Sequence, residues 1–151
     1  MVSEGSPAPD FDLASDTGEH VKLSDLRGKP VVLFFYPKDD TPGCTTEACE
    51  FRDAYDRFRE QGVEILGVSP DTEVSHRKFK SKYELPFTLL ADPEHEVAEA
   101  YGVWKEKRNY GKTYHGVERS TFIVDADGKV ARAMRGIRPA GHAAHVLETL
   151  P

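Results

Sequence analysis

The hydrophobic positions of this chain fall into short solid runs separated by stretches with helical spacing. Val31-Val-Leu-Phe-Phe-Tyr36 is apolar without alternation, which predicts a strand covered on both faces in the middle of a mostly parallel sheet. Val63-Glu-Ile-Leu-Gly-Val68 predicts its parallel neighbour. Between them Ala48, Phe51, Tyr55 and Phe58 recur at helical spacing from Cys44, so residues from about 43 to 61 read as one amphipathic helix packed on the sheet. Together they make a β-α-β unit. A second helix is predicted from Thr72 to Tyr83, and Phe87-Thr-Leu-Leu90 before Asp92-Pro93 reads as a short strand. Thr121 to Asp125 and Lys129 to Met134 flank Ala126-Asp127-Gly128, a strong hairpin signal. Ala140 to Leu150 reads as a closing helix.

That order of elements predicts an α/β fold of thioredoxin-like type, a central mixed sheet with helices on both faces. No linker or repeat divides the chain, so residues 1–151 read as one domain, long enough to bury a core without disulfide staples. Its 26 acidic against 20 basic side chains, a formal charge of −6, argue against nucleic acid or an anionic membrane as main partner. The N-terminal stretch has no basic region followed by an apolar one. The longest apolar run, Val31 to Tyr36, is far below the roughly 18 residues a membrane helix needs. A cytoplasmic location is the expectation, and in that reducing compartment paired cysteines point to redox chemistry or metal binding rather than to a staple.

The two cysteines, Cys44 and Cys49, lie where the first strand gives way to the first helix, in Pro37-Lys-Asp-Asp-Thr41-Pro42-Gly43-Cys44-Thr-Thr-Glu-Ala-Cys49. With Thr41 as N-cap and Pro42 as first helical residue, Cys44 falls among the unpaired N–H groups at the positive end of the helix dipole, where a thiolate is favoured. A free thiol of pKa near 8.5 is only about 3% ionised at pH 7, and a shift to about 6 gives roughly thirtyfold more nucleophile. Asp39, Asp40 and Glu47 are expected to oppose this by their negative charge, so a cation must help.

Residues five apart in an ideal helix are separated by about 140° around the axis and by about 8–9 Å between Cα atoms. A disulfide rarely tolerates more than about 7 Å. Cys44 continues the apolar stripe through Ala48, while Cys49 points to another face beside Arg52 and Asp56. If the two bond, the first turns of the helix must unwind, which couples oxidation to local unfolding.

Pro37-x3-Thr41-x2-Cys44 resembles the active-site signature of the peroxiredoxins. Thr41-Pro-Gly-Cys-Thr-Thr-Glu-Ala-Cys49 is similar to their Q-type branch, the bacterioferritin comigratory proteins. The likeness runs from Gly5-Ser-Pro-Ala-Pro-Asp-Phe11 through Asp25-Leu-Arg-Gly-Lys-Pro30 and Phe34-Phe-Tyr-Pro37 to Arg119-Ser-Thr-Phe-Ile-Val-Asp125 and Asp127-Gly-Lys129. It implies that Cys44 is the peroxidatic cysteine, Cys49 the resolving one and Arg119 the required cation, with Thr41 and Pro37 completing the site. The thiolate would attack a peroxide O–O bond and become a sulfenic acid. The Thr41 hydroxyl, the Arg119 guanidinium and the N–H groups of Gly43 and Cys44 would orient the peroxide, and Pro37 would limit solvent access. An intramolecular Cys44–Cys49 disulfide would follow, reset by a thioredoxin-like or glutaredoxin-like dithiol. No Gly-x-Gly-x-x-Gly fingerprint follows a strand, so no nicotinamide or flavin cofactor is expected.

Other readings stay open at this point. Cys44 alone is compatible with a small core residue, Cys49 with a passive helix thiol, and Arg119 with a surface ion pair to Glu118 or Asp125. His142 and His145, three apart on the closing helix, are close enough to share a metal, but no third ligand is apparent. Trp104 to Tyr114 interleaves basic and aromatic residues as single-strand nucleic-acid binders do, yet reads better as a loop with solvated charges beside the site. The leading function is a thiol peroxidase for hydrogen peroxide and organic hydroperoxides. A non-enzymatic redox sensor or a thiol–disulfide exchange protein is the alternative, the latter disfavoured by the absence of Cys-x-x-Cys. An intrachain disulfide needs no second subunit, so a monomer is expected, with a dimer as the other arrangement.

Overall fold

A computed structural model describes residues 2–150. In chain order the elements are β1 (Asp12–Ala14), β2 (His20–Lys22), a 3-10 turn (Leu23–Leu26), β3 (Val31–Phe35), α1 (Pro42–Glu60), β4 (Glu64–Ser69) and α2 (Glu73–Tyr83). There follow β5 (Thr88–Ala91), α3 (Glu96–Ala100), β6 (Trp104–Asn109), β7 (Lys112–Val117), β8 (Ser120–Val124), β9 (Val130–Arg135) and α4 (His142–Glu148). The main sheet has the order β5-β4-β3-β8-β9, with β3 parallel to β4, β4 parallel to β5, and β8 antiparallel to both β3 and β9.

The unbroken apolar run of β3 is explained by its central place. Val31, Leu33 and Phe35 enter one core with Val68, Phe122 and the α3 residues Val97 and Ala98. Val32, Phe34 and Tyr36 enter a second core with Ala48, Phe51 and Phe58 of α1, Phe79 of α2, and Ala143 and Val146 of α4. Helices therefore cover both faces of a mixed sheet, the thioredoxin-like α/β arrangement that the order of elements predicts.

One glycine sets how α1 sits. A Cβ at Gly67 on β4 would lie 2.8 Å from Phe34 Cζ and 2.9 Å from Leu89 Cδ2. Its absence lets the Phe34 ring lie across β4 and stack on Phe51 of α1, with centroids 4.8 Å apart. The helix carrying both cysteines is registered on the sheet through that stack.

Two expectations need correction. Residues 104–114 belong to a two-stranded antiparallel hairpin, β6 paired with β7 from Trp104 opposite Val117 to Asn109 opposite Lys112. Its turn, Tyr110-Gly111, has positive φ at both residues, 52° and 78°. The hairpin pairs only with itself and stands mostly in solvent, so its strands carry no apolar alternation. The short β1, β2 and α3 were not predicted. The closing helix is shorter than expected, since Gly141 precedes it with φ 79° and Thr149 ends it.

Candidate active site

The sheet register explains how a residue late in the chain reaches the start of α1. Phe35, the last residue of β3, pairs with Ser120, the first of β8. Arg119 therefore emerges at the end of the sheet where the chain leaves β3 for the loop of residues 36–41 and turns into α1. Its Nη2 donates to Cys44 Sγ at 3.3 Å and its Nη1 to Glu47 Oε1 at 2.7 Å. Both partners are buried, Cys44 at 1% and Glu47 at 0% exposure. Arg119 thus pairs with neither Glu118 nor Asp125; it joins Cys44 and Glu47 through one guanidinium.

The electrostatics of this cluster follow from burial. Burial works against the Arg119 charge, but the Glu47 carboxylate and the Cys44 sulfur more than offset it, so Arg119 is held above the ordinary arginine value. Burial pushes the Glu47 carboxyl up to about 7 despite the lowering effect of Arg119. Its second oxygen, Oε2, is enclosed with no hydrogen-bond partner among the described residues. Near neutral pH Glu47 is therefore divided between its charged and neutral forms rather than being a fixed negative charge.

Thr41 has the extended backbone of an N-cap (φ −99°, ψ 155°), and its carbonyl accepts from Thr45 N at 2.8 Å. Its side chain does not cap the helix: the hydroxyl donates to the Lys38 carbonyl at 2.8 Å, which leaves its oxygen free to accept. The N–H groups of Gly43 and Cys44 have no backbone acceptor among the described residues. Pro37 is half-buried in the loop between β3 and α1.

Asp39 and Asp40 are not aimed at the sulfur, contrary to expectation. Asp39 is buried, accepting from Tyr36 Oη at 2.6 Å and Ser75 Oγ at 2.8 Å, with His76 Nδ1 at 2.7 Å. His76 Nε2 lies 2.8 Å from the Leu90 carbonyl, and Asp39 N–H donates to Asp71 at 2.8 Å. Asp40, in the left-handed region at φ 57°, is held by Lys82 Nζ at 2.8 Å and Tyr83 Oη at 2.9 Å. Both carboxylates fasten the loop to α2. Ligand atoms of Asp39, Asp71 and His76 lie within 4.8 Å of one another, but all three side chains are engaged in the hydrogen bonds just described. His142, considered with His145 as a metal pair, is instead buried with Nε2 2.7 Å from Thr121 Oγ1.

Cys49 is half-buried, and both thiols are free. The two cysteines occupy one continuous helix, the arrangement in which spacing holds the sulfurs apart. Sequence reasoning missed Lys107, whose ammonium donates to the Val117 carbonyl at 2.6 Å. Burial and the Arg119 charge pull Lys107 below the usual lysine value, while Cys44 pushes it up. A surface cavity of about 460 Å³ lined by Leu13, Val74, Arg77 and Pro93 includes none of these residues.

Gly43 packs closely against the cation of the site. A Cβ there would lie 3.1 Å from Arg119 Nη2 and 3.4 Å from Pro139 Cγ. Gly43→Ala is expected to displace the guanidinium by a few tenths of an ångström and to slow reaction with hydrogen peroxide roughly three- to tenfold. Stopped-flow single-turnover kinetics checks this, and an unchanged rate would mean that Pro139 yields instead.

Comparison with known proteins agrees with this geometry. A model of the AhpC/TSA family matches residues 5–133. The chain is 55% identical to peroxiredoxin Bcp of Bacillus subtilis over 149 residues, covering 99% of this chain and 95% of that one. Identity to peroxiredoxin Bcp of Escherichia coli K12 is 44%, covering 99% and 96%. The structure superimposes on a cysteine-to-serine mutant of PrxQ from Xylella fastidiosa with TM-score 0.93, at 34% identity and covering 98% and 94% of the two chains. Superposition on the Xanthomonas campestris bacterioferritin comigratory protein, studied for alkyl peroxide reduction, gives TM-score 0.91 at 39% identity, covering 98% and 96%. No helix among the described residues is long and apolar enough to cross a membrane. The chain belongs to the AhpC/TSA family of peroxiredoxins, with the Bcp or PrxQ type as its near relatives, and is a thiol-dependent peroxidase.

Proposed function

We propose that Cys44 is the peroxidatic nucleophile and Cys49 its resolving partner within one domain that acts as a monomer, reducing hydrogen peroxide and organic hydroperoxides. The observation that carries the reading is the buried Cys44 sulfur in the first turn of α1, 3.3 Å from the Arg119 guanidinium. Sulfur attacks one peroxide oxygen, the O–O bond breaks, and negative charge develops on the departing oxygen. Arg119 and the free N–H groups of Gly43 and Cys44 supply the donors for that charge. Thr41, its proton committed to Lys38, accepts the O–H of the bound peroxide and so fixes its orientation. Pro37 screens the site from bulk water.

The sulfenic acid then condenses with Cys49, releasing water, once the first turns of α1 have opened. A peroxiredoxin implies a peroxide substrate and a thioredoxin-like reductant. Alkyl peroxide reduction by the Xanthomonas campestris relative supports the organic substrates. A thioredoxin or glutaredoxin in the cytoplasm supplies the dithiol.

Intact-mass analysis after one equivalent of peroxide tests this. The wild-type protein is expected to lose two hydrogens and Cys49→Ser to gain one oxygen. Disulfide-linked dimers as the main wild-type product, or an unchanged mass for Cys49→Ser, would overturn it.

A further inference from the structure

A threonine at the N-cap ordinarily turns its hydroxyl oxygen onto its own helix and accepts from the N–H of the second or third helical residue. In α1 those residues are Gly43 and Cys44. Thr41 caps neither of them, because its hydroxyl donates to the Lys38 carbonyl at 2.8 Å instead. The difference matters chemically. The Thr41 oxygen and the Gly43 and Cys44 N–H groups are the groups that meet the peroxide in the mechanism above, and a self-capped helix would pair them with one another. The Lys38 carbonyl must therefore be held where Thr41 can reach it.

What holds it is bound to the other end of the same peptide group. The Lys38 carbonyl and the Asp39 N–H share one planar trans peptide, so they point in opposite directions and turn only together. The Asp39 N–H donates to Asp71 Oδ2 at 2.8 Å. That oxygen also accepts from Ser69 Oγ at 2.6 Å, and the Asp71 N–H donates back to Ser69 Oγ at 3.2 Å. Ser69 is the last residue of β4 and is buried. The Asp71 carboxylate is thus fixed to the central sheet, not to the helix that carries the cysteines. The other moorings of the loop act on side chains: the Asp39 carboxylate on Tyr36, Ser75 and His76, and the Asp40 carboxylate on Lys82 and Tyr83. Among the described residues, Asp71 alone grips the peptide group that faces Thr41.

We propose that Asp71 is a positioning residue for the peroxidase step. By fixing the Lys38–Asp39 peptide plane it keeps the Thr41 hydroxyl off its own helix, and so reserves the Thr41 oxygen and the Gly43 and Cys44 N–H groups for the peroxide. The proposal rests on Thr41 and those N–H groups as the partners of the peroxide. Without Asp71 the peptide is free to rotate, the Lys38 carbonyl swings away, and Thr41 turns to the N–H of Gly43 or Cys44 as an ordinary cap.

Single-turnover rates at pH 7 test this in a Cys49→Ser background, where oxidation stops at the sulfenic acid. Two reagents are compared. Iodoacetamide alkylates the Cys44 thiolate without being oriented by Thr41, whereas hydrogen peroxide needs both the thiolate and the orientation. Asp71→Ala is expected to lose three- to tenfold with hydrogen peroxide and to stay within twofold of the parent with iodoacetamide. Asp71→Leu, similar in shape but without an acceptor, repeats that result. Asp71→Asn, whose amide oxygen still accepts from the Asp39 N–H, keeps the peroxide rate within twofold. Thr41→Val loses at least as much as Asp71→Ala with peroxide, and adding Asp71→Ala to it costs less than a further twofold, as expected when one residue acts through the other. Equal losses with both reagents would make Asp71 a support of the fold or of the thiolate and overturn the proposal. Losses that multiply with that of Thr41→Val, an asparagine variant as slow as the alanine one, or no loss at all would also overturn it. A parent-like peroxide rate in Thr41→Val would instead remove the reading of Thr41 on which it rests.

Discussion

Arg119→Met is expected to slow the reaction of Cys44 with hydrogen peroxide by roughly 10²–10³-fold, the usual effect of removing one preorganised donor from a site where charge develops. Methionine reproduces the aliphatic stem of the arginine and its packing while lacking the guanidinium, so the change removes chiefly the charged fork. What disappears is the donor 3.3 Å from the sulfur and the partner of a carboxyl group at 0% exposure. Without that partner Glu47 is driven further toward its neutral form, because an unpaired buried charge costs several kcal/mol, about 3–5 in comparable cases. The fold therefore survives with Glu47 protonated, and loss of rate separates from loss of structure. Single-turnover kinetics on protein with unchanged circular dichroism measures the effect, and a rate within threefold of wild type would remove Arg119 from the mechanism.

Glu47→Gln is expected to make the protein more stable above pH 7. In the unfolded chain Glu47 titrates near its ordinary 4.5, in the fold at about 7. Between those values the folded state keeps a proton that the unfolded state has released, so stability falls as pH rises through the window. Above it the full penalty is present, about 3 kcal/mol at roughly 1.4 kcal/mol per pH unit. Glutamine carries no such penalty. The variant should gain up to about 3 kcal/mol in urea denaturation at pH 8 and almost nothing at pH 4.5. His142 has the opposite slope: lowered by burial from 6.5 to about 4, it makes the fold lose stability as pH falls through that range. The two contributions oppose each other between about 4.5 and 6.5, and Glu47→Gln should unmask the acid sensitivity due to His142. An equal gain at pH 4.5 and pH 8 would show that burial does not perturb Glu47.

What could be read from the chain alone was what burial dictates. The solid run at 31–36 and the stripe Ala48, Phe51, Phe58 announced β3 and α1 because those residues have the core on the sides their spacing requires. The hairpin at 104–117 was unreadable for the converse reason: it pairs through its backbone, in solvent, and imposes no hydrophobic pattern on its side chains. Cys44, Thr41 and Arg119 were legible through motif and resemblance, but the direction of a side chain was not. Asp39 and Asp40 count as negative neighbours of a thiol in one dimension and as fasteners to α2 in three. Glu47 was misjudged for a similar reason, although a signal existed. It stands between Cys44 and Phe51 within the apolar stripe, where a carboxylate has to be buried and its charge questioned.

The loop and helix around the cysteines are fastened at two places outside the stretch that must rearrange. The Asp40 carboxylate is gripped by α2 on one side, and on the other the Glu50 carboxylate accepts the Gly141 N–H at the threshold of α4, 2.8 Å away. Only residues 41–49 lie between these moorings. If Cys44 and Cys49 join as proposed, a tether with both ends fixed samples few shapes when slack, and it is expected to rewind into the same register each time the bond is reduced.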